Sequence, residues 1–113
     1  MNWEKVHEED SHDGIYKFVL SITQCNDSID WDFDTEEDRQ RLIELINDGV
    51  FLWFDARVEC SIDGHVFGVD YLSGCCYESI KDFINDPYYT DMKQQARDHS
   101  REVIDAIKKI TKH

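Results

Sequence analysis

Apolar and polar residues alternate in two stretches of the chain, and this period of two predicts β-strands. The first stretch is Ile15–Thr23, in which one face carries Tyr16, Phe18, Leu20 and Ile22. The second stretch is Val50–Ile62, in which every even-numbered residue is apolar. Both patterns describe strands with one buried and one polar face, so a hydrophobic core is expected on one side of the sheet.

The second strand is expected to continue into a β-hairpin. Asp63-Gly64 directly follows it and is a favoured two-residue hairpin turn. Counting outward from this turn places Cys60 opposite Phe67 on the apolar face. The same register places Arg57 opposite Asp70 on the other face, where the two side chains would form a cross-strand ion pair.

Apolar residues spaced three and four apart predict helices. The first helix is expected to start after Thr35 as N-cap and to end near Gly49, with a buried stripe made of Leu42, Ile43, Leu45 and Ile46. A short helix is predicted over Tyr77–Ile84, after a turn at Gly74-Cys75-Cys76. A long helix is predicted after Asp86-Pro87. Its apolar stripe consists of Tyr89, Met92, Ala96, His99, Val103, Ile107 and Ile110.

These elements predict an α+β fold in one domain over residues 1–113. The order β-α-β-β-α-α indicates a small, mostly antiparallel, twisted sheet with helices packed mainly on one face. No repeat and no Gly/Ser/Pro-rich linker divides the chain.

Acidic residues dominate the first third of the chain. The formal net charge is −13, and residues 1–38 contain twelve acids but only two bases, Lys5 and Lys17. Such a protein repels nucleic acid and anionic lipid and attracts basic surfaces. No segment approaches the roughly 20 apolar residues of a membrane span, and no signal-peptide pattern is present. Four cysteines without a disulfide framework fit a reducing compartment, so a cytoplasmic protein is expected.

The acidic run before the first predicted helix is the candidate partner-binding surface. Aromatic side chains beside charged ones often anchor protein interfaces. Trp53 is predicted on the outward face of its strand; alternatively, a helix covers Trp53 and Trp31 tucks under its own loop. The candidate partner-binding residues are Asp27, Asp30, Trp31, Asp32, Asp34, Glu36, Glu37 and Trp53.

Alternating carboxylates in this run resemble the start of an EF-hand calcium loop. That loop also needs a glycine at its sixth position and a glutamate at its twelfth. Counted from Asp30, those positions hold Thr35 and Arg41. The pattern therefore favours a solvated acidic loop, and no metal is predicted here.

The cysteines allow a hypothesis of nucleophilic catalysis. Cys75 or Cys76, placed before a predicted helix, is a candidate for a lowered thiol pKa, with His65 or His99 as a base. Nothing in the sequence aligns such a pair, and these thiols, even with Cys60 and His65, lack the paired spacing of zinc ligands. Neither a G-x-S-x-G motif nor a phosphate-binding glycine loop is present. A non-enzymatic protein without metal or cofactor is therefore predicted.

Three short segments carry a resemblance to known sequences: Asp63-Gly64 with the strand Val66–Leu72, the run Ser73–Ser79, and the run Asp86–Met92. Over these segments, about a quarter of the chain, the sequence resembles small uncharacterised acidic early proteins of tailed phages and prophages. The resemblance contains no catalytic motif and implies no functional residues. It implies a context in which short acidic proteins often block a host defence protein.

Charge and resemblance together predict a phage-type inhibitor of a host nucleic-acid-handling protein. The target would be a restriction enzyme, a CRISPR effector or a recombination nuclease, whose cationic groove normally neutralises phosphates. The expected partner is thus a host protein with a basic surface, with no direct binding of nucleic acid or membrane. The alternative is an interaction module such as an immunity protein or antitoxin.

Overall fold

The computed structural model describes residues 2–29 and 33–111 and confirms the predicted α+β class. These residues form the strands β1 (Glu4–Asp10), β2 (Lys17–Gln24), β3 (Leu52–Ile62) and β4 (His65–Tyr77). They also form the helices α1 (Glu36–Asn47), α2 (Ile80–Ile84) and α3 (Pro87–Thr111). The strands make one antiparallel sheet in the order β1-β2-β3-β4.

The core lies between one face of the sheet and the helices α2 and α3. Phe83 of α2 is fully buried, and its ring meets those of Phe54 and Tyr77 edge-to-face, at centroid distances of 5.5 and 5.0 Å. The sheet contributes the apolar side chains that alternate along its strands, as the sequence predicted. Those of β2 and β3 are Phe18, Leu20, Phe54, Ala56, Val58 and Cys60, and β4 adds Cys75.

β1 is a strand that the sequence pattern did not predict. Five of its seven residues are charged, and Val6 is its residue packed against the core. As an edge strand, β1 gains backbone hydrogen bonds from β2 without needing an apolar face. Glu9 instead attaches β1 to α3. Its carboxylate accepts hydrogen bonds from Lys93 (2.7 Å) and Tyr89 (2.9 Å) of α3 and from His7 (2.8 Å) of its own strand.

The Glu9 cluster is expected to make the protein sensitive to acid. Burial raises the pKa of Glu9, but the hydrogen bonds from Lys93, His7 and Tyr89 outweigh it and lower the pKa from 4.5 to about 2. Because the folded-state pKa is depressed, the stabilisation is present above about pH 4.5 and is lost as the pH falls towards 2. The side chain is 32% exposed, so solvent screening limits the effect to about 1–2 kcal/mol.

Glu9→Gln is therefore expected to lower the free energy of unfolding at pH 7, and the difference from wild type should shrink as the pH approaches 2. Urea denaturation at several pH values measures this difference. Glu8→Gln serves as the control, because Glu8 is exposed and its ion pair is with Lys5 on its own strand. An equal loss for both variants, or one independent of pH, would contradict the assignment.

The predicted hairpin turn is confirmed, but the predicted register is wrong beyond its first pairs. Ile62 lies opposite His65 as expected, whereas Cys60 lies opposite Gly68 and Arg57 opposite Tyr71. A β-bulge at Phe67 causes the shift. It places Gly68 on the helix-covered face, where the backbone of α3 comes so close that a side chain would not fit.

The shift also separates the predicted ion pair. Arg57 instead pairs with Glu59 on its own strand, with 3.3 Å between Nη2 and Oε1, and lies over the ring of Trp3. Asp70 is turned to the helix-covered side, where burial and Asp91 raise its pKa.

The segment after the hairpin also differs from the prediction. Gly74-Cys75-Cys76 is not a turn but the last part of β4, which contains a second bulge where Gly74 adopts a positive φ of 72°. α2 consequently begins only at Ile80, with the Ser79 hydroxyl capping it. The start of α3 is as predicted, since the Asp86 carboxylate accepts from the Tyr88 backbone N–H at 2.9 Å.

Two predicted apolar stripes are only partly buried. In α3, Tyr89, Met92 and Ala96 are buried, but Ser100 replaces His99 at the next core position. The helix then continues past the sheet with Ile107 and Ile110 exposed. In α1, none of the residues is buried, contrary to the prediction of a buried stripe.

Candidate partner-binding surface

The acidic surface lies at one end of an elongated molecule that measures 62 × 25 × 23 Å. α1 connects β2 to β3 at the end of the sheet where Gln24 pairs with Phe54. Residues 27–48 contain nine acids and two bases. Every acid of this segment that the structure describes is exposed: Asp27, Asp34, Glu36, Glu37, Asp38, Glu44 and Asp48. This α1 end is the acidic surface discussed below.

Hydrogen bonds at both ends fix the position of α1, which carries most of these acids. Thr35 is the N-cap of α1, and its hydroxyl accepts a hydrogen bond from the Asp38 backbone N–H at 3.2 Å. Glu36, Glu37 and Asp38 occupy the first turn, where the positive end of the helix dipole favours carboxylates. At the other end, Gly49 has a φ of 80° and the Val50 N–H closes the helix onto the Leu45 carbonyl at 2.9 Å.

The candidate residues predicted from the sequence are partly brought together here. Asp27, Asp34, Glu36 and Glu37 all lie on or beside this end of the molecule and are exposed. Asp30, Trp31 and Asp32 lie outside the described residues, so their predicted roles stay predictions.

Arg39 was not among the predicted site residues, yet it organises the surface. Its Nε donates to the Ile29 carbonyl at 2.8 Å, and its Nη1 contacts the Glu36 carboxylate at 3.1 Å. Hydrogen bonds from Gln40 and then from Arg39 lower the pKa of Glu36, which therefore stays ionised. Arg39 thus ties α1 to the acidic loop that precedes it.

Trp53 is half-buried and fixed in position. Its indole Nε1 donates to the Asp27 carbonyl at 3.2 Å. The ring lies against Gly74, where a Cβ atom would approach it to 3.2 Å. Trp53 therefore links the acidic loop to the end of β4. It is neither fully outward-facing nor fully covered, so neither of the two sequence interpretations holds completely.

A groove of about 310 Å³ separates α1 from the loop that follows β2. Ile43 and Ile46 of α1 line one side, and Ile29, Cys25 and Trp53 line the other. Asp27 stands on its rim and is exposed. The groove therefore combines these apolar side chains with polar ones, namely Gln24, Asp27, Ser28, Arg39 and Asn47. The apolar residues of α1 indicated this groove in the sequence, but they were predicted to lie in the core.

The cysteines show none of the features of a nucleophilic site. Cys25, Cys60 and Cys75 are buried and Cys76 is half-buried. Burial raises the pKa of all four thiols, and together with the Asp55 charge it raises that of Cys75 to about 12. The predicted lowering of the Cys75 or Cys76 pKa is wrong, because both residues lie in β4 and not at a helix start.

Residues that could hold a metal are likewise dispersed. Cys60 pairs with Gly68 and Cys75 with Phe54, at different levels of the hairpin, and His65 is exposed next to the turn. Within residues 2–29 and 33–111, no three His, Cys, Asp or Glu side chains come together in a metal-binding arrangement. No helix in this same part of the chain is long and apolar enough to cross a membrane.

Comparison with known proteins finds no matching family model, no matching curated protein and no matching solved structure. The likeness of Asp63–Met92 to phage proteins therefore stays a prediction.

Proposed function

We propose that this protein is a cytoplasmic binding protein of the phage-inhibitor type, which uses the α1 end to block a basic, nucleic-acid-handling host protein. The observation that carries the proposal is the charge of this end, with nine acids against two bases in residues 27–48. The carboxylates of this segment that the structure describes are all exposed, so a partner can reach them.

An acidic folded surface suits a cationic groove for electrostatic reasons. A nucleic-acid-binding groove gains affinity by neutralising phosphates, and a row of carboxylates presents the same sign of charge. Capping at Thr35 fixes the backbone of the first turn of α1, and Arg39 holds the Glu36 carboxylate in position before binding. Pre-organisation lowers the entropic cost of association.

The alternative function is an immunity protein or antitoxin, and the apolar groove between α1 and the loop favours it. Ile43, Ile46 and Trp53 would receive an apolar anchor from the partner. Binding of that kind depends less on salt than binding through exposed charges, because exposed charges are screened over roughly 8–10 Å at physiological ionic strength.

The test is displacement of a labelled DNA duplex, followed by fluorescence anisotropy. Purified host restriction enzyme, CRISPR effector and recombination nuclease are each loaded with the duplex, and this protein is added. We expect it to displace the duplex from at least one of them. The triple variant Asp27→Asn, Asp34→Asn, Glu37→Gln should bind several-fold to about a hundred-fold more weakly, since each exposed pair contributes roughly 0–1 kcal/mol.

A matched control removes the same amount of charge from the hairpin half of the molecule. Glu8→Gln, Asp10→Asn, Asp63→Asn is suitable, because all three side chains are exposed and asparagine tolerates the positive φ of 52° at position 63. This variant should displace the duplex as wild type does. Equal losses for both variants would show that net charge alone acts. Displacement that survives in the triple variant at all salt concentrations, and is lost in Ile43→Asp, would show that the apolar side chains of the groove, and not the acidic surface, contact the target.

A further inference from the structure

The two halves of α3 differ in burial. Its first half is core, with Tyr89 and Ala96 exposed by 1% and 0%. Beyond Ser100 it runs past the sheet, and Ile107 and Ile110 are exposed by 44% and 74%. We refer to residues 103–110 as the α3 tip.

The α3 tip is amphipathic and basic at its end. Val103, Ile104, Ile107 and Ile110 recur at three- and four-residue steps, which puts them on one side of the helix. The tip carries Lys108 and Lys109 at its end and one acid, Asp105, before them. Contiguous apolar side chains that are exposed along one side of a helix are a candidate surface for association.

The α1 groove has the complementary properties. Its lining offers an apolar strip made of Ile43, Ile46 and Trp53 among polar side chains. Asp27 also lines it and belongs to the exposed acids of the α1 end, which outnumber the bases. Placing an amphipathic helix into an apolar groove is a recurring mode of recognition, in which residues at i, i+3 and i+7 act as anchors. Lysines beside the anchors would meet the acidic rim.

The two surfaces of one chain cannot meet each other. α1 lies at the end of the sheet where Gln24 pairs with Phe54. α3 runs towards the other end, where Arg97 contacts Asp13 in the β1–β2 loop at 3.7 Å. The molecule is 62 Å long, so the tip and the groove are far apart.

We propose that the α3 tip of one copy binds in the α1 groove of a second copy. The contact is heterologous, joining two different patches. Two copies that lie antiparallel to each other can form the tip–groove contact twice. Copies that join end to end can form it repeatedly. This inference goes beyond the proposed function and does not rest on it, although a bound tip would cover the surface that the host target is proposed to use.

Complementation between two variants tests this contact without any target protein. The tip variant is Ile107→Asp, Ile110→Asp, and the groove variant is Ile43→Asp, Ile46→Asp. Sedimentation velocity over a concentration series should show self-association for wild type and at least a ten-fold weaker association constant for each variant alone. An equimolar mixture should form a 1:1 pair, because one partner keeps an intact groove and the other an intact tip.

Other results overturn the proposal. A groove variant that associates as wild type does would indicate pairing between two tips, and a mixture that stays monomeric would exclude the heterologous contact. A wild type that is monomeric at every concentration would also overturn it. Val66→Asp, an exposed apolar position outside both patches, should associate like wild type.

A second pair of variants covers the case in which the groove variant fails to fold. Asp27→Lys changes an exposed side chain, and Lys108→Glu changes another on the tip. Each alone should weaken association several-fold, and mixing them should restore it, because both contacts again join opposite charges. Failure of the mixture to recover, with both variants folded by circular dichroism, would count against the tip–groove contact.

Discussion

Gly68→Ala is expected to destabilise the protein by about 3 kcal/mol or more. A Cβ atom at Gly68 would overlap the carbonyl oxygen of Ala96 and lie 2.6 Å from the backbone nitrogen of Ser100. Both neighbours belong to the backbone of α3, so no side-chain rotation can relieve the overlap. The helix would have to move away from the sheet and leave Cys60 and Met92 poorly packed.

The measurement is the free energy of unfolding from urea denaturation. Gly64→Ala is the matched control, since Gly64 has a φ of 81° but no atom within 4 Å of an added Cβ. That control should show only the cost of a left-handed conformation, about 1–2 kcal/mol. A Gly68→Ala loss no larger than that of Gly64→Ala would mean that α3 does not approach β4 as closely as described.

Gly68 also shows why the sequence predicted the hairpin but not its register. The Asp63-Gly64 turn is a local signal, since two residues and their φ preferences specify it. The bulge at Phe67 is not local, because its advantage is the fit of Gly68 under α3, about 30 residues away along the chain. Counting residues outward from the turn placed Phe67 opposite Cys60. In the structure Gly68 takes that place, because the backbone of α3 lies against it.

The ends of the helices were likewise predictable from the sequence, whereas the burial of their apolar stripes was not. Thr35, Gly49 and Asp86 act as predicted because caps use hydrogen bonds within a few residues. Whether an apolar stripe is covered depends on where the sheet ends. The stripes of α1 and of the α3 tip were therefore assigned to a core that does not reach them, and β1 was missed because Glu9, not an apolar residue, holds it.

The exposed acids of the site were predictable, whereas its groove was not. Acids before a helix are exposed for local reasons, as Asp34, Glu36 and Glu37 are. The contact between Arg39 and the Ile29 carbonyl, and that between Trp53 and the Asp27 carbonyl, join segments whose proximity no short pattern encodes. These two contacts turn an acidic run into a surface with an apolar groove.

The backbone amides of α1 are expected to exchange with solvent at least about a hundred-fold faster than those of central β3, after correction for intrinsic rates. α1 buries none of its twelve residues and, among the described elements, has little contact with any strand or other helix. An isolated helix of this length is only marginally stable in water, so its caps and Arg39 are left to support it. Central β3 is hydrogen-bonded on both sides, to β2 and β4, and exchanges only in openings close to global unfolding.

Hydrogen exchange followed by mass spectrometry at low protein concentration measures this difference, with the first half of α3 as the internal control. Residues 89–100 are also helical but cover the core, so their amides should be protected like those of β3. Equal protection of α1 and β3 would contradict the local-opening argument. Raising the protein concentration should slow exchange in α1 and in the α3 tip together, because the tip of another copy would then fill the groove beside α1. Slower exchange in the tip alone would instead indicate pairing between tips.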